Sequence, residues 1–242
     1  MEIGKNTTFA VLIIALLAIG SYLYVNAPNS QETITVQGVS QLTSSPDLAV
    51  IYLSIETLDK SAQISESENS EITEKVMDSL RNLGFSDDEI ETISYNLGED
   101  YTYTQNGAVS NGYKTTHYIK VSMDEFKVIG TVIDRVVIDG ALVNSLQFEL
   151  EKEHEQELKA EALESATGDA KTKAEAIARG SGGKLGKLVS ITTNDYYYLP
   201  YVAYEARAGS ATDASAVKEA ATQISTSNIQ INAQVNAVYS FR

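Results

Sequence analysis

Between Lys152 and Arg179 an alanine face includes positions 160, 162, 166, 170, 174 and 178. From 162 onward the step is four residues, which sets the methyl groups along one face of a helix. So small a stripe lets a helix lie close to a sheet or to another helix. Gly180, Gly182 and Gly183 follow and end it. A chain built around this helix must supply a flat partner. Asn228–Phe241 is the cleanest candidate: Ile229, Ile231, Ala233, Val235, Ala237 and Tyr239 alternate with Gln230, Asn232, Gln234, Asn236 and Val238.

The other segments switch between these two periods. Thr33–Ser40 and Asp47–Leu58 alternate, with Ser44-Ser45-Pro46-Asp47 as the turn. In the second segment Ala49, Ile51, Leu53 and Ile55 share one face, and Leu48, Val50, Tyr52 and Ser54 the other. That near-continuous apolar run predicts a strand covered on both sides. Lys60–Leu83 is helical, with Ile72, Val76, Leu80 and Leu83 in one stripe and Gly84 as its cap. Ser86-Asp87-Asp88-Glu89 resembles a capping box. Ile90–Gln105 and Tyr113–Met123 form a hairpin whose several-residue tip holds Asn106-Gly107 and Asn111-Gly112. Asp124–Ile138 returns to helix, Ala141–Leu150 to strand, and Leu185–Tyr198 is a further strand. Leu199–Ser227 is Ala/Ser-rich and weakly patterned, a mobile loop or the site of a short helix near Asp213–Gln223. The order ββα-ββ-αβ-αβ-β predicts an α+β fold, mostly antiparallel sheet packed by three helices.

Ahead of this domain stands a different kind of segment. No side chain from Asn6 to Gln31 is charged, and Phe9–Val25 is almost continuously apolar. As a helix its 17 residues span about 26 Å, just short of a ~30 Å hydrocarbon core. Phe9, Leu12, Ile13, Leu16 and Leu17 would face lipid, and Tyr22 and Tyr24 would lie at its interface. Lys5 precedes the run and the acidic bulk follows it, which predicts the N-terminus inside and the rest outside. Two fates are open. Val25-Asn26-Ala27 offers the small residues of a signal-peptidase site, but Pro28 would follow the cut. Otherwise residues 1–28 remain as an uncleaved signal anchor, and residues 29–242 form the extracytoplasmic domain. A pilin-like helix would carry an acidic residue early in the run, and none is there.

Composition narrows the chemistry. The chain has 242 residues, no cysteine, and 33 acidic against 18 basic residues, for a formal charge of −15. Missing thiols exclude disulfide scaffolds, cysteine nucleophiles, Cys-ligated zinc and a lipobox. The acidic balance argues against nucleic acid, whose phosphates call for a basic stripe. Residues 1–25 carry only Glu2 and Lys5, so the whole surplus lies in the outer domain. The one N-glycosylation sequon, Asn6-Thr7-Thr8, falls on the inner side.

Candidate sites are few. His154 lies among Glu151, Glu153, Glu155 and Glu157, a group that would suit a divalent metal but equally a solvated first helical turn. His117 sits mid-strand with no acid–base partner assignable. No Gly-x-Ser-x-Gly elbow occurs. Gly180-Ser181-Gly182-Gly183-Lys184 follows a helix instead of opening one, so it reads as a cap and not a P-loop. Neither catalytic residues, nor a metal, nor a cofactor are expected. Tyr196, Tyr197, Tyr198, Tyr201 and Tyr204 stand out as an interface or ligand platform, since tyrosine joins apolar area to a polar tip. Packing beneath the 199–227 loop accounts for them equally well.

These elements in this order resemble the SIMPL-domain family over about Thr33–Arg242. The carrying segments are Ile34-Thr35-Val36-Gln37-Gly38, Pro46-Asp47-Leu48-Ala49, Leu80-Arg81-Asn82-Leu83-Gly84 with Glu89-Ile90-Glu91-Thr92, and Gly112-Tyr113. Ile129–Asp134, Gly140-Ala141, Phe148-Glu149-Leu150, Ala170–Ala178 and Leu185-Gly186-Lys187 continue the series. A Pro-Gly-Glu-like turn found in many members is replaced here by Thr226-Ser227-Asn228. The family includes bacterial periplasmic and outer-membrane-associated immunogenic proteins and archaeal secreted proteins, and this chain looks like an archaeal-type member. The resemblance implies export and, from at least one ring-forming, channel-like member, homo-oligomerisation. It carries over no catalytic residue. The expectation is therefore a non-enzymatic protein at the cell envelope, membrane-bound through its N-terminal helix or secreted. It would self-assemble into a ring, tube or array. The alternative is a monomeric binding module for a small ligand or envelope polymer.

Overall fold

The computed structural model of the chain describes residues 14–19, 21, 32–206, 214–222 and 229–242. Two antiparallel sheets carry the fold. β1 (Thr33–Ser44), β8 (Ile229–Phe241) and β6 (Leu185–Tyr198) form a three-stranded sheet in the order β1-β8-β6. β2 (Leu48–Asp59), β3 (Ile90–Thr104), β4 (Gly107–Met123), β5 (Leu142–Glu149) and β7 (Tyr201–Glu205) form a five-stranded one in the order β3-β4-β2-β5-β7. The α+β class is observed, but as two sheets with separate cores.

The helices divide accordingly. α1 (Ala62–Asn82), α2 (Ile129–Ile138, after a 3-10 turn at Phe126–Val128) and α4 (Ala214–Thr222) cover one face of the larger sheet. α3 (Lys152–Gly180) lies on the smaller. α4 is the short helix that the sequence offered near Asp213–Gln223, packed as a fourth beside the three expected, and β7 is an unexpected strand, both within the 199–227 segment. Val217 anchors α4 in the core and Lys218 pairs with Asp134 of α2.

Both periodicities hold in detail. Ala162, Ala166, Ala170, Ala174 and Ala178 of α3 are buried against Ile34, Val36 and the inward residues of β8, whereas Ala160 is exposed. β2 is buried on both faces over most of its length, with Ala49, Ile51, Leu53 and Ile55 under the helices. The hairpin differs from expectation. Its turn is only Gln105-Asn106, and β4 begins at Gly107. Asn111-Gly112 is no turn. Pairing slips between Asp100↔Gly112 and Tyr101↔Ser110, leaving Asn111 as the extra residue of a bulge. Gly112 there has φ +122° and abuts the Asp59 carbonyl, a position that a side chain cannot share.

α3 approaches β1 most closely at Gly38. A Cβ at Gly38 would stand 2.7 Å from the Ala170 Cβ and would overlap the Ala166 carbonyl oxygen. At that range α3 also serves the outer edge of β1. Val39 N–H donates to Asp169 Oδ2 at 2.9 Å, and Lys173 Nζ donates to the Gln37 carbonyl at 3.1 Å. These contacts blunt an edge that would otherwise be open to strand addition.

Of the N-terminal segment, residues 14–19 are helical, with Leu16 and Leu17 exposed. Phe9, Leu12, Ile13, Tyr22 and Tyr24 lie outside the described residues. Among the described residues no helix is long and apolar enough to cross a membrane.

Candidate functional site

The chain crosses between the two sheets four times, at β1–β2, β5–α3, β6–β7 and α4–β8. Three of these crossings meet in one polar knot. Asp47, in the β1–β2 link, donates its amide to the Glu149 carbonyl at 3.2 Å. Its carboxylate Oδ1 accepts the Glu151 N–H at 2.6 Å, and Oδ2 pairs with His154 Nδ1. Leu150 N–H donates to the Tyr198 hydroxyl at 2.8 Å, which brings in the end of β6. Asp47 thus acts at the head of α3 as an N-terminal cap drawn from another part of the chain.

This arrangement answers the question raised by the acidic run around His154. The ring turns to Asp47, while Glu151 and Glu157 are exposed. Among the described residues no three His, Asp or Glu side chains gather as a metal site would require. The knot has its own electrostatics. Burial, with Glu149, Glu155 and Asp47 nearby, pushes the Tyr198 hydroxyl up to about 12 despite the Leu150 amide. Burial also raises the Glu149 carboxyl, opposed by Lys120 and reinforced by Glu155. Tyr198 therefore stays neutral at any ordinary pH, and its oxygen accepts the Leu150 amide.

The five tyrosines separate. Tyr197 is 55% exposed and lines an open cleft of about 420 Å³ with Gln41, Asn232 and Gln234. Tyr198 joins the knot. Tyr201 stacks on Phe148 at 6.3 Å, and Tyr204 packs against the larger core. The Tyr196 side chain lies outside the described residues.

A long exposed aromatic surface lies elsewhere, on the β3–β4 hairpin. Among the described residues β3 pairs only with β4, and it is exposed almost throughout. Ile93, Tyr95, Leu97, Tyr101 and Tyr103 stand on it in solvent, Tyr103 at 84%. Between Glu91 and Glu99 the strand has neither charge nor proline. Sequence reasoning placed β3 correctly, yet β-like residues alone do not reveal which strand lies at an edge.

His117 ties the root of this hairpin to α1. Its Nδ1 shares a hydrogen bond with Thr73 of α1 at 3.1 Å, and its Nε2 with Thr92 of β3 at 3.0 Å. Tyr95 meets the ring edge-on at 5.6 Å. Burial lowers the ring's pKa below the ordinary histidine value. The native state thus favours the neutral ring. Stability is complete above about pH 6.5 and falls as pH drops through that value, because the unfolded chain then takes up a proton that the native chain resists. We expect His117→Gln to flatten the acid limb of stability, followed by urea unfolding between pH 7.5 and 5. An unchanged limb would reject this role.

The molecule is therefore an α+β domain of two helix-covered antiparallel sheets, joined by the polar knot at Asp47 and with β3 at an edge of the larger sheet. The chain belongs to the SIMPL family: the family model, described as a protein of unknown function (DUF541), matches residues 34–239. Over 238 residues it is 24% identical to the 26 kDa periplasmic immunogenic protein of Brucella melitensis, covering 96% of this chain and 94% of that one. The protein of the same name from Brucella abortus is 23% identical over the same length. The uncharacterized protein YggE of Edwardsiella ictaluri is 22% identical over 163 residues, 65% of this chain and 66% of the relative. All three relatives are bacterial and lend the archaeal-type attribution no support.

Proposed function

We propose that this chain is a non-enzymatic, extracytoplasmic protein that self-assembles through its open strand edges into a homo-oligomeric ring, tube or array at the cell envelope. The observation that carries the reading is β3, a 15-residue edge strand with exposed apolar residues and an uncharged middle. Such an edge invites a further strand, and a second copy is the partner always at hand. The N-terminal apolar run supports attachment at a membrane. The periplasmic relatives support an outer location.

The test is light scattering on the full-length chain in mild detergent. A defined oligomer is expected, and Leu97→Lys with Tyr103→Lys should shift it toward monomer without unfolding the domain. A strict monomer for the unaltered chain would sink the proposal. The second reading, a monomeric binding module, is favoured by the cleft beside Tyr197. It would show as a ligand-induced rise in melting temperature in a chain that stays monomeric.

A further inference from the structure

Where α3 ends and β6 begins, three cations face one cleft. Lys184, Lys187 and Arg242 line a hollow of about 550 Å³ rimmed by glycines. Their placement follows from close backbone contact. A Cβ on Gly183 would lie 2.5 Å from the Arg242 carbonyl oxygen, and one on Gly186 would strike the Ser240 hydroxyl. Only glycine allows the start of β6 to run so near the end of β8. Lys184 N–H then donates to the Arg242 carbonyl at 2.6 Å, and Arg242 N–H returns the bond at 3.1 Å. Lys187 N–H donates to Ser240 Oγ at 2.8 Å. These bonds set Lys184 directly across from Arg242, with Lys187 three residues further along the chain beside Ser240.

Two ordinary explanations for the cluster fail. Cations often gather at a helix C-terminus to meet its free carbonyls. Here the carbonyls of Ile177, Ala178 and Arg179 already accept the amides of Ser181, Gly183 and Gly182 at 3.0–3.1 Å. Nor do the cations serve as ion-pair partners. Among the described residues none of the three side chains meets a carboxylate, although acidic residues outnumber basic ones by 33 to 18. Arg179, in the last turn of α3, pairs with Glu175 and stays apart. Three like charges thus line one cleft, exposed and, among the described residues, without a side-chain carboxylate partner, on an otherwise acidic molecule.

We propose that this cleft binds a phosphate group, carried by a soluble phosphate compound or by a lipid headgroup. A guanidinium offers a fork to two oxygens, and the ammoniums act as point charges on the remainder. The hollow exceeds a bare phosphate and leaves room for the group that bears it. The donors are side chains and not the amides of a helix N-terminus, so the glycine run is still no P-loop.

The experiment uses the full chain at low salt with two probes, inorganic pyrophosphate by calorimetry and vesicles of phosphatidylglycerol against phosphatidylcholine by flotation. Saturable pyrophosphate binding is expected, weakened about tenfold by each of Lys184→Ala, Lys187→Ala and Arg242→Ala. Added salt should weaken it further. Pyrophosphate binding without a preference for anionic vesicles assigns a soluble ligand. A vesicle preference that disappears in the triple variant assigns a headgroup, and comparison with that variant removes any insertion by the N-terminal segment. All three side chains are exposed, so the variants should melt with the unaltered protein. Binding of neither probe, or binding that survives the triple substitution, overturns the proposal.

Discussion

Gly38→Val should destabilise the domain by at least about 3 kcal/mol, which for a chain of this size lowers the melting temperature by roughly 6–12 °C. A side chain at position 38 meets the Ala166 carbonyl and the Ala170 backbone nitrogen, the latter at 2.8 Å. Neither is the far end of a flexible side chain, so the whole helix must move. As it moves it withdraws Asp169 and Lys173 from the β1 edge. Ala170→Gly in the variant background would relieve only the methyl contact, and we expect it to restore little. Calorimetry measures both, and a fall of under 2 °C in Gly38→Val would refute the close-packing account.

Phe148→Ala should cost about 3–5 kcal/mol, a drop of roughly 6–20 °C. Phe148 is fully buried on β5, edge-on to Phe126 at 5.4 Å and stacked on Tyr201. Its removal leaves a void between the larger sheet, the turn before α2 and β7. Tyr201→Ala is half-exposed and should cost less, but the two substitutions should be non-additive because each ring is the other's contact. Full additivity would free Tyr201 for an interface role. A sizeable coupling energy assigns that tyrosine to packing.

Some of this was readable from residues alone, and the reasons are physical. The alanine stripe announced a helix pressed on a flat surface, because only small side chains at a step of four permit it. The double-sided burial of β2 followed from its unbroken apolar run. What the stripe could not show was which glycine receives it, since Gly38 lies more than a hundred residues upstream. Asp47 and His154 are as far apart in sequence, so the metal-like run around His154 could not disclose its real partner. Asn111-Gly112 misled because a bulge and a turn use the same residues for the same backbone freedom. β7 escaped because a five-residue strand beside Pro200 leaves too short a pattern. The cation cleft needed Arg242 brought beside Lys184, which only the β6–β8 pairing does.

The polar knot at Asp47 has one more consequence. Each sheet has its own core, and among the described residues no helix or strand of one layer packs broadly on an element of the other. Among the described residues the halves are joined by chain crossings and by the hydrogen bonds of the knot. A pull applied across the layers would load that point through three of the four crossings, as on the pin of a hinge. Pivoting there would leave both cores intact.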